Sequence, residues 1–197
     1  MARSIILLIS LIWSFSTPTR ASEITIIQIP SNSSIVIDQI AAPVTNNTMN
    51  VGQVPPDYRL PSSLVTGTNN QTSLDCGTQA GCRNNLIWET VIGNLNTVRT
   101  HMNGINNQSE VHIAGNGNMV TGVTDTNNSM RNVNILGDNN QVHSTMQGAM
   151  SGMGHMFTSN IYGHNNSVTS VQSGSHATRV TVNINGSSNS VNLRTGR

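Results

Sequence analysis

The chain contains no lysine, and only 9% of its 197 residues carry a charge. Soluble domains usually carry about 25%. Aromatic residues make up 3%, and cysteine occurs twice. These shortages exclude several classes. The seven arginines beyond residue 20 are scattered and form no basic stripe for phosphates, so nucleic acid is not an expected partner. Helix-forming Ala, Leu, Glu and Lys are outweighed by residues that favour strands and turns. A formal net charge of +1 is too small for charge-driven disorder. What abounds is 28 Asn, 23 Ser, 21 Thr and 17 Gly, with Val and Ile spaced between them. That composition suits repeated short strands and tight turns.

The segment 1–21 reads as a secretory leader. Arg3 precedes an apolar run from Ile5 to Phe15, and Thr19-Arg20-Ala21 offers a cleavage site before Ser22. The run is shorter than the ~20 residues a membrane span needs. The mature protein is therefore expected outside the cell, where Cys76 and Cys82 would form a local disulfide closing a small loop. Their spacing does not fit a CxxC redox pair.

Five segments repeat: VIGNLNTV, IAGNGNMV, ILGDNNQV, IYGHNNSV and INGSSNSV, centred on Gly93, Gly115, Gly137, Gly163 and Gly186. Two positions before each glycine stands Val91, Ile113, Ile135, Ile161 or Ile184. Three after it stands Asn96, Asn118, Asn140, Asn166 or Asn189, and five after it Val98, Val120, Val142, Val168 or Val191. Successive glycines follow at intervals of 22, 22, 26 and 23. Alternating apolar residues before the glycine make a strand with one buried face. Gly-x-x-Asn makes the turn, because glycine takes positive φ freely and Asn tolerates the left-handed region. The following Val starts a returning strand.

One such unit buries too little to stand alone, but units stacked about 4.8 Å apart pair every strand. The expected fold is all-β, a β-solenoid of about five strand–turn–strand repeats, each roughly 22–26 residues long, spanning 86–197. Upstream, Val65-Thr66-Gly67-Thr68-Asn69-Asn70 is a weaker copy of the repeat. Residues 22–85 are expected to form an irregular arm, with an alternating strand pair around Pro30 and a linker at 42–64 containing Pro43, Pro55, Pro56 and Pro61. Residues 86–102 also satisfy helical spacing through Ile87, Val91, Leu95, Val98 and Met102, so a helix there is the open alternative.

The repeat resembles the curlin repeat of bacterial curli, secreted amyloid fibres of biofilms, whose pattern is Q-x-G-x-x-N-x-A-x-V-x-Q. Gly-x-x-Asn stands in all five units, and Val occupies the family's Ala position. Val91, Ile113, Ile135, Ile161 and Ile184 replace the first Gln, and Gln172 is the one survivor of the second. The resemblance covers about residues 90–197. It implies a subunit or nucleator of an extracellular fibre, assembling with itself and with other curlin-like subunits after export through an outer-membrane pore.

Catalytic signals are sparse. The eight acids are dispersed, and there is no G-x-S-x-G, HExxH or phosphate loop, so neither an enzyme nor a small-molecule substrate is expected. No cofactor is implied. Met146, Met150, Met153, His155 and Met156 cluster in the longest repeat unit, and soft ligands of this kind suit Cu(I). The same methionines also suit a flexible insertion between coils. Seven Asn-x-Ser/Thr sequons, at Asn32, Asn46, Asn70, Asn107, Asn127, Asn165 and Asn185, are no more than this composition yields by chance. The functional alternative to a fibre is a monomeric solenoid adhesin that binds a glycan or host surface.

Overall fold

A computed structural model describes residues 8–11, 23–26, 36–40, 48–51, 62–76, 82–148 and 154–196. They form strands only: β1 (Leu8–Leu11), β2 (Glu23–Ile26), β3 (Val36–Ile40), β4 (Thr48–Val51), β5 (Ser62–Thr66), β6 (Gln71–Cys76) and β7 (Cys82–Arg83) lead the chain. The repeat region follows with β8 (Leu86–Ile92), β9 (Thr97–Ile105), β10 (Gln108–Ala114), β11 (Met119–Asp125), β12 (Met130–Leu136) and β13 (Gln141–Gln147). It closes with β14 (Met156–Tyr162), β15 (Ser167–Ser173), β16 (Arg179–Asn185) and β17 (Ser190–Thr195).

Apart from the short β7, which pairs with β9, alternate strands go to alternate sheets. One sheet runs β1-β3-β5-β8-β10-β12-β14-β16, the other β17-β15-β13-β11-β9-β6-β4-β2, and the pairings are parallel. The chain is a β-solenoid. The helical alternative over 86–102 is not realised: Leu86–Ile92 and Thr97–Ile105 are strands of opposite sheets. Strand pairing gains a backbone partner on each side for every coil, which isolated helical spacing cannot match.

Each strand of the repeat turns its second, fourth and sixth residues inward. Parallel register then stacks like positions into columns. Val65, Val91, Ile113, Ile135, Ile161 and Ile184 form one, and Val98, Val120, Val142 and Val168 face it from the other sheet; all are buried, with Val191 half-buried at the end. The inward Arg131 of β12 fills the space that Gly122 leaves on the facing strand.

The structure adds to the sequence reading in two respects. Successive repeats are joined by a second tight turn at 106–107 and 126–129. A regular coil is thus strand, turn, strand, turn, as in β10 and β11 before β12 takes its place over β10. The sheets also do not stop at residue 86. The Val65…Gly67…Asn70…Thr72 copy continues the same columns, and β2 and β3, expected as a pair around Pro30, lie in different sheets. β1 lies inside the segment expected to be cleaved, at the outer edge of its sheet, and the turn around Pro30 lies outside the described residues.

The third residue of each turn is left-handed: Asn69, Asn84, Asn106, Asn128, Asn139 and Asn165 all have φ between 52° and 58°, and Gly117 has 66°. Leu95 and Ser188 break the pattern, with φ 58° and 61°, and Leu95 has 63% of its surface exposed. A non-glycine, non-Asn residue in that region costs about 1–2 kcal/mol. Leu95→Asn is therefore expected to stabilise the chain by about 0.5–1 kcal/mol, read as a rise of roughly 2–4 °C in thermal midpoint.

Candidate functional site

The Asn of each Gly-x-x-Asn turn points inward and builds a continuous amide ladder. From Asn96 onward, each backbone N–H donates to the Oδ1 of the preceding rung at 2.9–3.0 Å. Each Nδ2 donates to that same Oδ1 at 3.0–3.1 Å. Its other hydrogen goes to the glycine carbonyl of the following coil, at 2.7–2.8 Å for Asn70 through Asn166. The ladder runs Asn70–Asn96–Asn118–Asn140–Asn166–Asn189 and is buried except at its last rung.

A second ladder on the same turns faces solvent. Thr68, Asn94, Asn116, Asp138, His164 and Ser187 follow the glycines, and Asn94 and Asn116 each accept from the backbone and side chain of the preceding coil. Removing a rung separates the two. Asn118→Ala strands the Asn140 N–H, one hydrogen of Asn140 Nδ2 and the Gly137 carbonyl, while Asn96 Oδ1 keeps the residue-118 N–H, and is expected to cost about 2–4 kcal/mol. Asn94→Ala, whose partners reach water, is expected to cost less than about 1 kcal/mol. Urea unfolding of both variants checks the difference.

The turns on the opposite edge carry a third column that sequence reasoning missed: Asn85, Asn107, Ser129, His155 and Thr178. Asn107 N–H donates to Asn85 Oδ1 at 2.7 Å, Ser129 N–H to Asn107 Oδ1 at 2.9 Å, and His155 N–H to Ser129 Oγ at 2.9 Å. The available signal was a half-repeat: Asn85, Asn96, Asn107, Asn118 and Asn140 fall in one evenly spaced series that alternates between the two edges, with Ser129 in the gap.

His155 bears on the proposed copper ligands. Its ring is buried, with Nδ1 2.8 Å from Thr178 Oγ1 and accepting from Thr178 N–H, and Nε2 3.0 Å from Gln147 O. Both nitrogens are engaged, so His155 is a turn rung and not a free ligand. Met146 is buried in the core, Met156 is half-buried on the outer face of β14, and Met150 and Met153 lie outside the described residues. Among the described residues no three His, Cys, Asp or Glu converge as a metal site. The Cys76 and Cys82 side chains also lie outside what is described; their backbones end β6 and begin β7. Of the sequons, Asn70 and Asn107 are buried rungs and closed to modification.

Inside the solenoid sits an ionic group. Thr100 Oγ1 donates to Glu89 Oε1 at 2.9 Å, and Arg131 Nη2 donates to Thr100 Oγ1 at 2.6 Å. Arg131 Nε also donates to Ser109 Oγ at 3.0 Å. All four residues are buried, and Glu89 Oε2 and Arg131 Nη1 have no partner. Burial pushes Glu89 up to about 7, against the lowering effects of the Thr100 hydrogen bond and the Arg131 charge. It also brings Arg131 down to about 10.

The last described coil differs from the others. β16 and β17 are each paired on one side only. A Cβ at Gly67, Gly93, Gly115, Gly137 or Gly163 would lie 1.9–2.0 Å from the carbonyl oxygen of the next glycine. At Gly186, with the same backbone conformation, it would meet nothing closer than Asn189 Nδ2 at 3.5 Å. Asn189 presents its Oδ1 where the inner rungs receive the next coil.

Comparison with protein-family models, with curated proteins and with solved structures found no match to this chain. The last described coil presents two strand edges, an amide rung and a glycine notch of the kind through which the inner coils receive a neighbour. It can accept another coil of the same kind.

Proposed function

We propose that the chain is a secreted structural protein, a curlin-like subunit or nucleator of an extracellular amyloid-type fibre, which grows by end-to-end stacking of solenoids. The observation that carries this reading is the regular stacking of like coils: each inner coil receives the next through parallel strand edges, an amide rung and a glycine notch, and the last described coil presents the same edges, rung and notch. Open parallel edges are templates for a further chain, and an edge with few charges opposes in-register stacking little. Its partners are then other copies, other curlin-like subunits, and the outer-membrane pore that exports it.

The reading is tested with Gly186→Ala. A Cβ there lies in open space within one chain, so the substitution costs only backbone strain of about 1–3 kcal/mol. Against an incoming coil it would meet a carbonyl at the distance the inner glycines show. The mature chain is expected to give fibres with reflections near about 4.7 Å and about 10 Å, and the folded variant to give none. Fibres of undiminished yield from Gly186→Ala would overturn the stacking. A wild-type chain that stays monomeric with its strands intact would leave the adhesin as the better reading.

A further inference from the structure

The outer face of the first sheet carries an apolar column at the last position of successive strands: Ile92, Ala114, Leu136 and Tyr162. Three of these are large and exposed, Ile92 at 48%, Leu136 at 55% and Tyr162 at 53%. Ala114 leaves a notch among them, a groove of about 250 Å³ bordered by Ile92, Leu136 and Tyr162. A contiguous exposed apolar patch marks a place that something covers.

We infer that a second copy of this chain covers it, face to face, with the two solenoid axes antiparallel. The pattern is self-complementary about a two-fold axis that lies along the strands, midway between β10 and β12. That operation reverses the order of the coils while keeping each column on itself. Ala114 of each copy then faces Leu136 of the other, so a side chain enters each notch, and Ile92 faces Tyr162. In the next column His112 faces Asn134 and Thr90 faces Asn160. In the third, Glu110, the one carboxylate on the outer face of β8, β10, β12 and β14, faces the amide of Asn132 instead of another carboxylate. Moving the axis by half a coil spacing loses this. It puts Ala114 opposite Ala114, leaving a void, or Leu136 opposite Leu136.

The size agrees as well. The same axis is central to the six strands from β5 to β16. At usual strand spacing and rise these present about 29 Å by about 23 Å. Two such faces cover about 1,300 Å², within the range of specific interfaces. The pairing does not depend on end-to-end stacking: stacking lengthens an assembly, and face pairing doubles it.

The test is sedimentation of the freshly purified full chain across micromolar concentrations, with L136R, A114D and the A114D/L136R double variant. Both positions are on the outer face, and circular dichroism checks that each variant keeps its strands. A dimer is expected for the wild type. Each single variant is expected to weaken it at least about tenfold, or about 1.4 kcal/mol. The double variant sets the introduced carboxylate of one copy against the introduced guanidinium of the other, as well as beside the guanidinium of its own copy, and is expected to recover at least part of the dimer. A wild-type monomer, indifference to L136R, or folded double variants that stay monomeric would each overturn the antiparallel pairing, as would a wild-type chain that pairs only with a soluble glycan. Fibres that lengthen but stay single would overturn face pairing and leave end stacking intact; dimers that never lengthen would do the reverse.

Discussion

Gly137→Ala is expected to destroy the solenoid around β12 to β15, with a loss of about 4 kcal/mol or more and no recovery at neighbouring rungs. The size follows from two independent penalties. Gly137 has φ 138°, a region that side chains rarely enter, which alone costs about 1–3 kcal/mol. An added Cβ would also lie 2.0 Å from Gly163 O and 2.8 Å from its carbonyl carbon. Relief requires the two coils to part, and they cannot part locally. Gly163 N–H donates to Leu136 O at 3.0 Å and Asn140 Nδ2 donates to Gly163 O at 2.8 Å, so displacing the turn breaks the amide ladder and frays both adjoining strand pairs. Gly186→Ala is the control, with the same backbone conformation and, among the described residues, nothing closer to an added Cβ than Asn189 Nδ2 at 3.5 Å. The difference between the two midpoints in urea isolates the steric part. Equal midpoints would mean that the close approach of successive turns contributes nothing.

These glycines were the part of the structure most open to sequence reading, and they also misled it. Aligning Gly93, Gly115, Gly137, Gly163 and Gly186 selects one edge of the solenoid, where Asn and Val hold their offsets. That alone places the buried Asn rungs and two core columns. Gly104, Gly148 and Gly174 mark the other edge, with positive φ of their own, but their column drifts from Asn through Ser129 and His155 to Thr178. A turn can be closed by any of these side chains, because each supplies an acceptor to the next backbone N–H. The chemistry is preserved while the letter is not, so the half-repeat fades from view. The insertions hide it further, since both the cysteine segment and the Met-rich segment interrupt the sequence at that half of the repeat. The ionic group in the core was not legible for a different reason. Glu89 and Arg131 stand far apart in the chain, at positions where other coils carry Val, Ile, Ser or Phe, and only the stacking of coils brings them to one place.

That group sets the second large effect, a stability that falls as the solution becomes less acid. Glu89 titrates at about 7 in the fold against 4.5 for an unperturbed carboxyl. Below 4.5 the side chain is protonated in both folded and unfolded chains, and the fold has its full stability. Between 4.5 and about 7 the unfolded chain has released its proton and the folded chain still holds it, so stability declines as pH rises. Beyond about 7 both have ionised, and the loss is complete at about 3 kcal/mol. Glu89→Gln resembles the protonated form in both states. It is expected to remove this slope and to be more stable than the wild type at pH 8 by a similar amount, since the buried carboxylate is desolvated more than Thr100 and Arg131 repay. Arg131→Met takes away the charge that lowers Glu89, so its slope should extend above pH 7, and the variant should be weaker than the wild type at neutral pH. Unfolding free energies of the three proteins from pH 4 to 9 decide the matter. A Glu89→Gln variant that follows the wild-type curve would mean that the carboxylate finds solvation inside the fold, and that Glu89 Oε2 is not the unpartnered atom on which the effect depends.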